Sequence, residues 1–262
     1  MSNMGRSNGQ LSQSLPLENN EVVSDLHHVV ENMLLHTLRE CPDTLDLMNF
    51  YGDLKPENLT NDFILRELTW IAYAGGFRYD VVRKYWPKIT NAFFKFDVMQ
   101  VALLSGDLDK HAQDICQESG FKNLRKARWS ILNAQRILEL DCELREFGGL
   151  KGYFVNLSKL GIGEIVRLTP SILNQLKFKG IGQTTIFHLL KNMGIDIFKP
   201  DIHVCRILDR LGLIADGASI YEVCEAMRSL ALSYNIKVSE LDTLFFVYGK
   251  TNADFIPLNS FL

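Results

Sequence analysis

Apolar residues return every three or four positions in one segment after another, and nowhere does the chain alternate long enough to make a strand. Val22, Val23, Leu26, Val29, Val30, Met33, Leu34 and Leu38 trace one such face, and Phe63, Leu65, Leu68, Trp70, Ile71 and Ala74 trace another. Ile131, Ala134, Ile137 and Leu138 repeat the pattern. A helix brings positions three and four apart onto one side, so each segment predicts an amphipathic helix whose stripe needs a partner to cover it. The expected fold class is all-α. With 262 residues and 47% apolar composition, one large or two small cores can form.

Punctuation divides the helical pattern. Residues 1–20, rich in Ser, Asn, Gln and Gly without a periodic face, are expected to be a disordered arm. Between Cys41 and Asn61 lie Pro42, Gly52 and Pro56, with a short helix expected around Leu45, Leu47, Met48 and Phe50. Asn61 is a candidate N-cap for the next helix, and Gly75-Gly76 break it. A further helix is expected over VVRKYWPKITNAFFKF, residues 81–96. From Asp97 to Glu146 the pattern is helix, glycine turn, helix, with Lys122, Arg125, Lys126 and Arg128 clustered at the second start. Those four suit either phosphate contacts or a solvated basic face. The Gly161-Ile162-Gly163 run reads as a turn before a short helix.

No apolar run reaches membrane-spanning length, and the N-terminus lacks a charged-then-apolar signal pattern, which together lead us to expect an intracellular, cytoplasmic protein. The five scattered cysteines suit a reducing compartment. His27, His28 and His36 neighbour one another on the first helix, but no Cys or carboxylate completes a ligand set, so no metal site is expected. The net charge of −3 hides a split: residues 1–62 hold 3 basic and 10 acidic side chains, the remainder 25 and 21. An acidic arm on a mildly basic body is compatible with a nucleic-acid partner without requiring one.

The stretch from Leu176 to Leu211 carries the most chemistry. Gly180 and Gly182 flank Ile181, and Gln183 and Thr184 lead into a helix whose first N–H groups and dipole suit a phosphate. Gly194 is placed to end that helix, and Lys199-Pro200-Asp201 opens another. Asp201 therefore stands at a helix start beside an expected backbone-phosphate site. An aspartate there can equally be an N-cap.

The run FKGIGQTTIFHLL followed by KPDIHVCRIL resembles the helix-hairpin-helix and catalytic-aspartate signature of the endonuclease III-like DNA glycosylases. The resemblance extends over most of residues 63–211, and SELDTLFFVYGKTNADF resembles the family's closing helix, packed under the catalytic loop. It implies two helical lobes, residues 60–195 ending in the hairpin and residues 21–59 with 196–262 forming the other, with Asp201 in the cleft between them. It also implies a DNA glycosylase, acting in base excision for DNA repair or in the destruction of modified DNA. In that setting Asp201 is catalytic, and Lys179, Gly180, Ile181, Gly182, Gln183, Thr184 and His203 lie against DNA, although His203 could equally be a packed helix residue. Two positions depart from the family pattern: Lys179 replaces the proline before the first glycine, and Thr184 replaces the lysine of lyase-active members.

The family's pocket region falls on Trp70, Tyr73, Phe77, Arg78 and Tyr79, as walls for a flipped base or a wedge for the vacated stack. Core packing is the competing reading for Trp70 and Tyr73. Thr184 implies a monofunctional enzyme, requiring no cofactor and leaving an abasic site. Only Cys205 and Cys224 lie near the C-terminus, so no iron–sulfur cluster is expected, while the hairpin carbonyls could hold a monovalent cation as in relatives. The partner would be double-stranded DNA with a modified base, bound by a monomer. An aromatic pocket would suit a cationic alkylated purine, with deaminated, oxidised or bulky pyrimidines left open. Two alternatives stand beside this: a non-catalytic DNA-binding module and a bifunctional glycosylase with lyase activity.

Overall fold

The computed structural model of the chain describes residues 20–251, and the side chains of residues 28–250. Residues 1–19 of the expected arm, and residues 252–262 of the expected second lobe, lie outside the described residues. Every regular element among the described residues is helical. The helices are α1 (Asn20–Glu40), α2 (Thr44–Asp53), α3 (Asn61–Ala74), α4 (Tyr79–Ala92), α5 (Val98–Leu103), α6 (Leu108–Ser119) and α7 (Leu124–Glu143). They continue as α8 (Gly149–Leu157), α9 (Ile162–Leu176), α10 (Thr185–Asn192), α11 (Ile202–Arg210), α12 (Ile220–Ser233) and α13 (Val238–Thr251). None is long and apolar enough to cross a membrane.

Two helices organise the packing. Helix α7 lies against α3, α5, α6 and α8, and α13 lies against α1, α2, α11 and α12. The reason is in their stripes: α7 buries Ala127, Ile131, Ala134, Ile137 and Leu140 completely, and Leu241 and Phe245 of α13 are equally enclosed. Helix α10 packs on α3, and α9 packs on α12.

Several boundaries differ from the sequence expectation, each for a local reason. Thr60, not Asn61, caps α3, accepting the Phe63 N–H at 3.2 Å. Asn61 instead donates to Asp141 on α7. The helix expected to run to Phe96 ends at Ala92, because Phe94, Lys95 and Phe96 take left-handed φ of 51°, 55° and 67°. That turn drives Phe93 and Phe96 into the core and leaves Phe94 exposed, so burial of two rings offsets the backbone strain. The Gly161-Ile162-Gly163 run is the start of the 15-residue α9.

Gly194 closes α10 as expected of a C-cap glycine. At φ 79° its N–H reaches Lys191 O at 2.9 Å, and the following Ile195 N–H reaches Leu190 O at 3.1 Å, a pair of bonds that satisfies the last carbonyls. A Cβ on Gly194 would fall 2.8 Å from Leu54 O, whereas one on Gly163 would meet nothing within 4 Å. Gly194→Ala should therefore lose about 1–3 kcal/mol in urea denaturation. Gly163→Ala should be neutral or gain up to about 1 kcal/mol. Equal midpoints for the two variants would refute the assignment.

Candidate active site

Asp201 is the N-cap of α11. Its Oδ1 accepts the N–H groups of His203 at 2.9 Å and Val204 at 3.3 Å, while Oδ2 faces Lys199 Nζ at 3.3 Å. Capping thus occupies one oxygen and leaves the other without a backbone bond. One is held by backbone N–H groups, and the other faces the Lys199 ammonium, with the Asp201 side chain 15% exposed. His203 turns toward α13: its ring stands edge-on to Phe246, its Nδ1 is buried with no hydrogen-bond partner among the described residues, and a Cβ on Gly249 would come within 2.9 Å of that nitrogen. This is the packed-helix alternative for His203 rather than an open contact surface.

The loop that carries Asp201 is fastened by Asp242 of α13. Asp242 Oδ1 accepts the Lys199 N–H at 3.3 Å, and Oδ2 takes Lys191 Nζ of α10 at 2.5 Å. Lys191 also donates to Thr243 Oγ1 at 3.0 Å. Lys191 and Asp242 are only 8% and 5% exposed. Burial raises the Asp242 carboxyl pKa, opposed by Lys191 and reinforced by the nearby Asp201 charge. Neither Lys191 nor Asp242 stands out in the sequence as a site residue, since each needs the other to make sense.

The hairpin is held from behind by α7. Asn133, fully buried, accepts the Lys179 N–H at 2.7 Å and donates back to the Lys179 carbonyl at 3.0 Å. Arg136 donates to the carbonyls of Leu176 at 3.0 Å and Gln175 at 2.9 Å, and its outer nitrogens pair with Glu139 and Glu143. Gly180, at φ 79°, lies against the Trp129 ring, where a Cβ would come within 2.7 Å, and Arg125 covers that ring at 5.0 Å. Lys179, Gly182, Gln183 and Thr184 are exposed, and Ile181 packs partly into the core. The amide donors are fewer than expected: the Gly182 N–H is taken by Thr185 Oγ1 at 2.7 Å, while those of Gln183 and Thr184 stay unbonded among the described residues.

The pocket candidates divide. Trp70 is half-buried, edge-on to Tyr79 at 5.4 Å and to Trp86 at 4.8 Å. Tyr73, expected beside it, is fully buried between Phe93 and Phe121. It is a core residue because the Phe93 and Phe121 rings close over it, while Trp70, about 60° round the helix, meets Tyr79 and Trp86. Phe77, 43% exposed, and Arg78 sit on the open turn between α3 and α4. Lys126, grouped with possible phosphate contacts, is buried instead. Its Nζ donates to the carbonyls of Ala72 at 2.5 Å, Tyr73 at 3.1 Å and Gly75 at 2.5 Å, closing the end of α3, and lies 4.8 Å from the Phe77 ring. Arg128 is tied to Asp109 at 2.7 Å, leaving Lys122 and Arg125 of that cluster exposed.

Three further groups complete the surround. Glu67, one turn before Trp70 on α3, is buried and accepts from Arg66 and from Asn192 Nδ2 of α10 at 2.7 Å. Burial raises its pKa against the opposing pull of Arg66. Lys250 lies over Tyr79 at 4.0 Å and reaches Asp80 at 3.3 Å. His188, on α10, is pushed down to about 3 by burial and then by Lys199 and Lys191, so it is neutral here. Compared with known proteins, the chain matches no family model, no curated protein and no solved structure at a level that would show kinship.

The imidazole of His188 resists a proton that the unfolded chain accepts near its ordinary value of 6.5. Its contribution to stability is complete above that pH and declines as the pH falls from 6.5 toward 3. Urea titrations at pH 7 and pH 4.5 should show a smaller acid loss for His188→Gln than for the native chain. Identical losses would remove His188 from the account.

Proposed function

We propose that the protein is a monofunctional DNA N-glycosylase, which hydrolyses the bond between deoxyribose and a modified base flipped from duplex DNA and leaves an abasic site. The observation that carries the proposal is the division of labour at Asp201: one oxygen caps α11 and the other is free of backbone bonds. In this account α3 to α10 form one lobe, α1 and α2 with α11 to α13 form the other, and Asp201 lies in the cleft. The separate gathering of helices on α7 and α13 supports that division.

As the base departs, positive charge builds on C1′ and the ring oxygen of the sugar. A carboxylate beside them stabilises that charge and orients or deprotonates the attacking water. Capping fixes where Asp201 points, and Lys199 Nζ stands 3.3 Å from its other oxygen. Lys179, Gly180, Ile181, Gly182, Gln183 and Thr184 would hold the DNA backbone, with the unbonded amides of Gln183 and Thr184 as donors to a phosphate. A monovalent cation on the hairpin carbonyls would reinforce that grip. Trp70 and Tyr79 would line the base site, and Phe77 or Arg78 would enter the vacated stack.

Asp201→Asn keeps the acceptor oxygen for capping but loses the charge. Single-turnover release of free base from a panel of lesion-bearing duplexes should fall about 10²–10⁴-fold, with affinity for an abasic-site duplex retained. Should the native protein bind duplex yet release no base, the chain is a DNA-holding module in which Asp201 is a cap alone. The placement of Lys199 beside Asp201 is the one observation favouring a bifunctional enzyme, since an amine near C1′ could form a Schiff base. An ammonium paired with a carboxylate is a poor nucleophile, so borohydride should trap no covalent adduct with abasic DNA. A trapped adduct lost in Lys199→Gln would reverse that conclusion.

A further inference from the structure

Four carboxylates, on α3, α4, α13 and at the start of α11, each have their own cation. Glu67 Oε1 accepts Arg66 at 2.9 and 2.7 Å, and Asp242 takes Lys191 at 2.5 Å. Asp201 faces Lys199 and Asp80 faces Lys250, both at 3.3 Å. With charges matched one to one, the site has no surplus negative field with which to draw a cationic base, whatever its aromatic walls would allow. Selection has to come from a neutral group.

Tyr51 of α2 is that group. Its ring lies under Lys191 Nζ at 4.6 Å and edge-on to Phe50. Through Lys191 it adjoins Asp242, which also holds the loop of Asp201. Burial, then the charges of Glu67, Tyr79 and Asp242, raise the Tyr51 pKa, with Arg66 opposing, so it stays protonated throughout the physiological range. The nearby carboxylates already have donors, and the Tyr51 hydroxyl makes no hydrogen bond to any described residue. Tyr73 also has an unpartnered hydroxyl, but it is sealed in the core, whereas Tyr51 keeps part of its surface open. A phenol held half-buried with an unused donor is poised for an acceptor brought by a ligand.

Building on the glycosylase proposal, we infer that Tyr51 selects the base: its hydroxyl donates to a carbonyl oxygen on the pairing edge of an uncharged, flipped base. The substrate class is therefore a deaminated or oxidised base with a keto edge, in preference to a cationic alkylated purine. A site that expects a hydrogen bond discriminates against ligands unable to make it, because the donor is then buried unpaired. Tyr51 acts on the base, and Asp201 on the sugar.

The test is single-turnover base release by native protein, Tyr51→Phe and Asp201→Asn from duplexes containing uracil, hypoxanthine, 8-oxoguanine or 3-methyladenine. Native protein should release at least one of the three carbonyl bases faster than 3-methyladenine. Tyr51→Phe should lose about 10–100-fold on that base. Its ratio of carbonyl-base to 3-methyladenine release should fall, with its affinity for an abasic duplex and its unfolding midpoint retained. Deleting the carbonyl oxygen from the preferred base should impose the same loss on the native protein, which keeps the test valid even if Tyr51→Phe folds poorly. Faster release of 3-methyladenine by the native protein, or an unchanged rate for Tyr51→Phe on the carbonyl base, overturns the inference. Release that persists in Asp201→Asn but falls in Tyr51→Phe overturns the assigned role of Asp201 and leaves Tyr51 standing. No release from any duplex overturns both.

Discussion

The buried pair between Lys191 and Asp242 is the joint on which the candidate site depends. Two ions taken out of water repay their lost hydration only if their remaining hydrogen-bonding capacity is used. Here Lys191 also reaches Thr243, and Asp242 also receives the Lys199 N–H. The consequence is architectural. Helix α10, which follows the hairpin, and α13, near the end of the chain, are joined beside the loop that presents Asp201. Removing one partner would strand the other charge, so the hairpin and the acid are placed by the same contact.

A similar economy governs the hairpin. Its loop is polar, exposed and too short to define itself, and α7 supplies what it lacks. Asn133 meets both backbone groups of Lys179, Arg136 meets the carbonyls at the end of α9, and Trp129 provides the flat surface against which Gly180 lies. The glycine at 180 thus serves a packing contact as well as a turn. Gly182 has no such neighbour, and open space surrounds the position a side chain would occupy.

What could be read from the sequence is what depends on neighbours along the chain. Helical periodicity, the cap at Asp201 and the glycine that ends α10 are local features, and they correspond to α3, α7, α11 and Gly194 as found. Features decided by distant partners were not legible. Asn133 acts on a residue 46 positions away, and Lys191 on one 51 positions away. Lys126 looks like one of four surface cations because nothing nearby in sequence reveals the three carbonyls at the end of α3. Trp70 and Tyr73 share a helix, and only the packing of α4 and of Phe121 decides that Tyr73 is the one enclosed. Tyr51 carries no signal at all in its own segment, since its surroundings come from α3, α10 and α13.

Lys126 and Asn133 are seven residues apart on α7, two turns less about 20°, so they emerge from nearly the same side of the helix. One holds the turn that bears Phe77 and Arg78, and the other holds the hairpin loop. Their separation along the axis is about 10 Å. Helix α7 therefore works as a ruler: it converts a count of residues into a fixed interval between two exposed loops that share no direct fastening of their own. A gauge of this kind sets the spacing of the two loops from a single helix, independently of the loops' own conformations.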